Sequence, residues 1–178
     1  ILYNCIPINF MNPTLKNDLL IRAALRKPIE RSPVWFMRQA GRYLPEYRAL
    51  RAKHDFLTMV KTPELASEVT VQPVDLIGVD AAIIFSDILV IPEAMGMHLE
   101  MVESKGPVFN APIRAASDLD KLDTENVVKR LDYVMQAVKM TKQKLNNRVP
   151  LIGFSGSPCT PAAYLVAGKG PKNFDFSN

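Results

Sequence analysis

The chain has 178 residues, enough for one ordinary domain with a sizeable core. Charged residues make up 22% and hydrophobic ones 48%, the balance of a soluble globular protein, and the net charge of +4 favours anionic partners. The basic residues are scattered, which argues against a nucleic-acid surface; no apolar run approaches membrane-spanning length; and Cys5 and Cys159 stand far apart with few histidines, which suits a reducing cytosol and argues against zinc.

Residues 1–10 are apolar but lack a basic leading region and a small-residue cleavage site. They are read as an extension rather than a targeting segment, with Met11 as a natural start and the domain over 11–178. Asn12 and Pro13 open a helix; Leu15, Leu19, Leu20, Ala23 and Ala24 form its apolar face, and Pro28 closes it. Residues 34–37 are wholly apolar and read as a strand buried on both faces of a parallel sheet. That run ends in Arg38. After Gln39 and a small-residue turn at Ala40 and Gly41 comes a second guanidinium, Arg42. A guanidinium is a rigid five-donor fork that matches a carboxylate or phosphate two bonds at a time. Two of them flanking a glycine at a strand end form a clamp for an acidic ligand, unless both are simply solvated on a loop.

Pro45 starts a short helix through Lys53. Thr62, Pro63 and Glu64 open a longer one with Leu65, Val69, Leu76 and Ile77 on its apolar face, an interior Pro73 that should kink it, and Gly78 as its cap. A second buried strand is expected over 80–85, ending in Ser86 and Asp87. Alternation around Met97, Leu99 and Met101 allows a hairpin outside the main sheet, with a break at Gly106 and Pro107. Asp123 and Thr124 open one long helix with a stripe of Val127, Leu131, Val134, Met135, Val138 and Leu145. A third buried strand is expected over 149–154, followed by Ser155, Gly156, Ser157 and a helix that begins over 160–166.

Buried strands alternating with long helices mean β/α units and a parallel sheet. Each expected strand delivers a polar residue at its C-terminal end: Arg38, Asp87 and Ser155. Barrels and open α/β sheets both place their chemistry there, and pattern alone does not choose between them.

The stretch 33–48, P-V-W-F-M-R-Q-A-G-R-Y-L-P-E-Y-R, resembles the N-terminal signature of the uroporphyrinogen decarboxylase family, P-x-W-x-M-R-Q-A-G-R-Y-x-P-E-[YF]-R. Two further stretches match it, I-I-F-S-D-I-L at 83–89 and V-P-L-I-G-F-S-G-S-P at 149–158, the second followed by Tyr164. The resemblance implies the N-terminal portion of an α/β fold, a (β/α)8 TIM barrel, with about three β/α units present and the barrel not closed. It also implies a cytoplasmic enzyme, homodimeric when full length, that decarboxylates the four acetate side chains of uroporphyrinogen III to give coproporphyrinogen III in haem biosynthesis. No nucleic acid or membrane partner goes with that reading. By resemblance, Arg38, Gln39, Ala40, Gly41 and Arg42 bind the substrate, Asp87 takes its centre, and Tyr164 and Arg51 are further contacts, while His54 and His98 match no catalytic position. Cys159 and Pro161 depart from the family's usual residues at the start of the last helix.

The chemistry implied needs no metal and no organic cofactor. Protonating the pyrrole carbon beside the acetate makes a cationic ring that accepts the electron pair left by CO2, and Asp87 would stabilise that positive charge. Without the resemblance, Asp87 reads as a cap on the following helix. Arginine is effectively always protonated and therefore a poor acid, so Arg38 is assigned binding and orientation, catalytic in that sense, and the proton donor is left open. Taken alone, the 178-residue chain is expected to be inactive and poorly soluble, with the edge of an unfinished sheet exposed. Two other readings remain: a non-catalytic tetrapyrrole-binding fragment, which would need no Asp87, and a corrinoid-dependent methyltransferase-like relative, which would lack the arginine clamp. Gly168, Lys169 and Gly170 fail the spacing of a phosphate loop.

Overall fold

The computed structural model describes residues 14–35, 39–102 and 106–170. Helix α1 (Leu19–Ala24) starts later than its apolar spacing predicts. The reason is in the backbone: the Lys16 and Asn17 N–H groups donate to the Asn147 and Arg148 carbonyls at 2.8 and 3.0 Å, so this stretch crosses the molecule instead of coiling. Asn12 and Pro13, expected to open the helix, lie outside the described residues.

Helix α2 (Pro45–Lys53) forms where expected, with Pro45 in the first turn, Glu46 beside it and Arg51 and Lys53 in the last turn, charges that complement the helix dipole. Helix α3 (Phe56–Lys61) was not anticipated. Asp55 caps it, accepting from the Thr58 N–H at 2.8 Å and the Thr58 hydroxyl at 2.6 Å. Helix α4 (Pro63–Ile77) runs from Pro63 to a left-handed Gly78 (φ +76°), with Pro73 buried inside it.

The parallel sheet consists of β1 (Ala82–Ile83) and β4 (Leu151–Ile152), in the register Ala82 to Leu151 and Ile83 to Ile152. Both strands are shorter than the apolar runs that contain them. Flanking bonds extend the pairing: Ala82 N–H to Pro150 C=O at 2.9 Å and Ile84 N–H to Ile152 C=O at 3.0 Å. The first expected strand is corrected in part. Residues 36–38 lie outside the described residues; Val34 is 50% exposed rather than buried, and its tie to the sheet is its carbonyl, which accepts from the Asp80 N–H at 2.9 Å. Among the described residues the parallel sheet therefore has two strands, not three.

After β1 comes α5 (Val90–Ala94), then the antiparallel hairpin β2 (Leu99–Val102) and β3 (Gly106–Phe109), a separate sheet as its alternation suggests. Gly106 opens β3 at φ +80° instead of breaking the chain there. A 3₁₀ turn (Ala116–Lys121) leads to the long helix, which is divided at Leu131 into α6 (Val127–Arg130) and α7 (Asp132–Leu145). Arg130 holds α6 against α5, donating to the Ala94 carbonyl at 2.8 Å and to Asp123 Oδ2 at 2.6 Å. The face of α7 that is fully buried is Ala137, Thr141 and Leu145, and α7 packs mainly on α4. Met135, expected on the core stripe, is exposed. Small residues on the inner face let two helices approach closely, so the large side chain is turned out.

Helix α8 (Cys159–Ala167) ends at Gly168 in a left-handed conformation (φ +74°). The glycine–lysine–glycine stretch then docks on the hairpin: Phe109 N–H donates to Gly168 C=O at 2.7 Å, and Lys169 bridges to Val108. Leu89, Met97, Leu99 and Phe109 form the buried cluster under this unit, with Tyr164 and Leu165 packed against it. No helix of the described residues is long and apolar enough to cross a membrane.

Candidate functional site

Parallel neighbours end on the same side of their sheet, so the loops that follow β1 and β4 lie together. Asp87 is in the first loop; Ser155, Gly156 and Ser157 are in the second. The approach is close enough to need glycine: a Cβ on Gly156 would sit 3.2 Å from the Ile88 carbonyl and 2.8 Å from Pro161 Cγ.

Asp87 is half-buried. One carboxylate oxygen, Oδ1, accepts from the Leu89 N–H at 2.7 Å, just before α5 begins. Asp87 thus closes a short turn rather than capping α5, which has Leu89 at its N-cap and no side-chain cap, and Oδ2 takes no hydrogen bond from a described residue. Burial raises the Asp87 carboxyl above the ordinary range; the Leu89 N–H opposes that rise, and the Glu93 carboxylate adds to it. Tyr133, in the first turn of α7, is pushed up to about 12 by burial and by the Glu93 and Asp87 carboxylates.

Side chains outside the expected set hold the end of β1. Thr70 on α4 donates its hydroxyl to the Ala66 carbonyl at 2.6 Å and accepts the Phe85 N–H at 2.9 Å. The Phe85 ring meets Tyr47 edge-on at 6.1 Å and Phe56 at 5.6 Å. Ala40 packs on the same cluster of Leu44, Tyr47, Met59 and Val69, which puts the arginine turn and the end of β1 on one core.

Within that turn, Arg38 lies outside the described residues. Gln39 is fully buried and directed inward: its Nε2 donates to the Ala81 carbonyl at 2.8 Å, and its buried Oε1 has no partner among the described residues. Its side chain therefore braces the turn against β1. The Tyr43 hydroxyl donates back to the Gln39 carbonyl. Ala40 and Gly41 are half-buried, and Arg42 is exposed with no partner among the described residues. Arg51 donates to the His54 carbonyl at 2.6 Å, closing the end of α2. The Tyr164 hydroxyl lies against Gly170, where an added Cβ would be 3.0 Å away, and no hydrogen bond joins Tyr164 to Asp87 among the described residues.

Sequence reasoning missed Thr70, Glu93 and Tyr133. Only the position of Thr70 on the inner face of α4 could have signalled one of them. An apolar groove of about 380 Å³ lies along β4, lined by Leu15, Ile21, Ile84, Val138 and Leu151 among others, and includes none of the expected site residues. Among the described residues no group of three His, Cys, Asp or Glu side chains could hold a metal ion.

Compared with known proteins, residues 15–177 match the family model described as uroporphyrinogen decarboxylase (URO-D). Over 163 residues the chain is 62% identical to the uroporphyrinogen decarboxylase of Chloroherpeton thalassium and 61% identical to that of Chlorobium limicola, covering 92% of this chain and 46% of each relative. The chain thus spans about half the length of the curated relatives it matches. Among solved structures, a methyltransferase from Methanosarcina mazei aligns with a TM-score of 0.68 at 20% identity, covering 87% of this chain and 46% of that one. At that identity the likeness is one of fold, and it fits an α/β partial barrel.

Proposed function

The chain belongs to the uroporphyrinogen decarboxylase family, and we propose that the whole protein decarboxylates the four acetate side chains of uroporphyrinogen III to coproporphyrinogen III. The observation that carries the reading is the placement of Asp87: a half-buried carboxylate with one oxygen unpartnered among the described residues, in the loop after a parallel strand whose Phe85 shares a core cluster with Ala40 of the arginine turn. A porphyrinogen presents carboxylates around its rim and pyrrole N–H donors at its centre. Arg38 and Arg42 hold the rim, the braced backbone of Gln39, Ala40 and Gly41 shapes the turn between them, and Asp87 accepts from the central N–H groups. Tyr164 borders the site, and Arg51, already closing α2, positions that helix.

Each decarboxylation begins with protonation of the pyrrole carbon next to the one that bears the acetate arm. The C–C bond to the carboxylate breaks, its electron pair flows into the cationic ring, and CO2 leaves. A proton then adds to the exocyclic carbon and the ring carbon loses its own, so that one carboxylate is replaced by one hydrogen. Positive charge on the ring is greatest after the first protonation, and the fixed carboxylate of Asp87 stabilises it there more than in the ground state. Water exclusion strengthens that effect, and burial of Asp87 is consistent with it. A homodimer and a cytoplasmic location belong to the same reading, with the free, exposed thiol of Cys159 suited to a reducing compartment.

Asp87→Asn in the full-length protein is the test. Turnover should fall on the order of 100-fold or more while tetrapyrrole binding survives. Turnover within a few-fold of the parent overturns the assignment and leaves a binding role only. The 178-residue chain assayed alone should release no coproporphyrinogen.

A further inference from the structure

We propose that the glycine–lysine–glycine stretch at 168–170, which fits no phosphate loop, is a strap that positions the Tyr164 hydroxyl, and that the missing side chain of Gly170 sets where that hydroxyl sits. The inference deepens the decarboxylase reading and rests on its assignment of Tyr164 as a substrate contact. Helix α8 ends by folding the chain back on itself. The Gly168 N–H donates to the Tyr164 carbonyl at 2.8 Å, and the left-handed backbone of Gly168 (φ +74°) turns the chain out of the helix. A Cβ there would lie 3.2 Å from the Phe109 carbonyl oxygen and 3.3 Å from Pro112, so glycine is required by space as well as by conformation.

The strap is anchored from outside α8. The Phe109 N–H donates to the Gly168 carbonyl at 2.7 Å and Lys169 pairs antiparallel with Val108, which adds the strap to the hairpin. The Ile113 N–H donates to the Leu165 carbonyl at 2.8 Å, one residue past Tyr164. Tyr164 itself packs on the buried cluster of Leu89, Met97, Leu99 and Phe109, and Leu89 is the residue whose N–H holds Asp87 Oδ1 at 2.7 Å. The hydroxyl end of the ring then meets Gly170. A Cβ added at Gly170 would stand 3.0 Å from Tyr164 Oη, with Cζ at 3.5 Å and Cε1 at 3.7 Å. Only the hydroxyl contact is too close, and Gly170 is not left-handed, so its backbone admits alanine. The hydroxyl makes no hydrogen bond to a described residue, which leaves it available to a ligand. A methyl at this position would push it by about 0.4 Å to restore ordinary contact. Misplacing a contact group by about 1 Å costs on the order of 100-fold in rate, so this shift should cost about sixfold.

Gly170→Ala in the full-length protein should lower kcat/KM for uroporphyrinogen about sixfold while the thermal midpoint stays within about 2 °C of the parent. In a Tyr164→Phe background, where no oxygen meets the new methyl, the same substitution should change kcat/KM by less than about 1.5-fold. Fluorine NMR on protein carrying fluorotyrosine reads the contact without turnover. The Tyr164 resonance, assigned by its loss in Tyr164→Phe, should shift in Gly170→Ala. An unmoved resonance, an undiminished kcat/KM in Gly170→Ala, or an equal loss with and without the hydroxyl overturns the proposal. So does a Tyr164→Phe enzyme with the parent's turnover, which removes Tyr164 from the reaction. An active Asp87→Asn enzyme is a separate failure: it refutes the role of Asp87, while the fluorine shift still reports whether Gly170 seats the hydroxyl.

Discussion

Removing the carboxylate of Asp80 should loosen the N-terminal segment from the sheet. Its side chain is 1% exposed and accepts four hydrogen bonds: Arg31 Nη1 and Nη2 at 2.7 and 2.6 Å, Asn17 Nδ2 at 2.7 Å and the Val34 N–H at 2.6 Å. Hydrogen bonds to a charged acceptor contribute roughly 1.5–3 kcal/mol each, but Arg31 is 54% exposed and regains water when released, so its two bonds count for about 1 kcal/mol together. The Val34 N–H and the Asn17 amide contribute about 1 kcal/mol or more each once discounted for mutual dependence. Asp80→Ala should therefore cost about 3 kcal/mol, which is roughly a 100-fold faster hydrogen exchange for backbone amides of residues 14–35 if they open as a unit. Mass-spectrometric exchange on the full-length protein measures it, with Asp80→Asn giving a smaller change because one carbonyl acceptor remains. The partners hold the Asp80 carboxyl well below its ordinary range, the Arg31 fork foremost, so its contribution is fully present above the unfolded pKa of about 4 and fades as pH falls toward the folded value. Exchange within about threefold of the parent, or an Asp80 effect that grows between pH 5 and 8, would refute the reasoning.

Gly156→Ala should destabilise by about 1–3 kcal/mol, since the new methyl meets a proline ring that cannot rotate away. Gly153→Ala, with nothing within 4 Å of its Cβ, should change stability by less than about 0.5 kcal/mol, and equal thermal midpoints for the two variants would remove the close-approach argument. Arg51→Ala should cost about 1 kcal/mol through loss of its bond to the His54 carbonyl and leave KM within about twofold of the parent. A tenfold higher KM would place Arg51 among the substrate contacts instead.

Helices α2 and α4 were legible because their signals are local backbone rules: a proline supplies no N–H where none is needed, and Gly78 takes a left-handed turn without strain. Helix α3 has six residues, too short for periodicity to register, although Asp55 three residues before Thr58 carried the cap. The apolar run from Val34 suggested a strand but held no information about what covers it, and Val34 proves half exposed. On α7 large side chains drew attention to Met135, whereas the small Ala137 and Thr141 are the ones buried. The site divides in the same way. The arginine turn and Asp87 could be found as motifs, yet the inward turn of Gln39 depends on an acceptor 42 positions away at Ala81, which no local pattern encodes.

That distance dependence bears on how the carboxylate is aimed. A two-residue strand such as β1 has too few ladder bonds to fix the direction of a side chain beyond its end. The missing constraint comes from the sides. Thr70 holds the Phe85 N–H, two rings from α2 and α3 clamp the Phe85 side chain, and the bare Cα of Gly156 lets the neighbouring loop rest on the Ile88 carbonyl. These contacts come from α2, α3, α4 and the loop after β4, on either side of Asp87 in the chain, so a shift in any one is resisted by the others. A pre-aimed anion stabilises developing positive charge without first reorganising, which is the condition under which such a group lowers a barrier rather than merely binding. On the role proposed for Asp87, side chains that never touch the substrate bear on kcat through it, and their contribution is invisible in the motif that identifies the family.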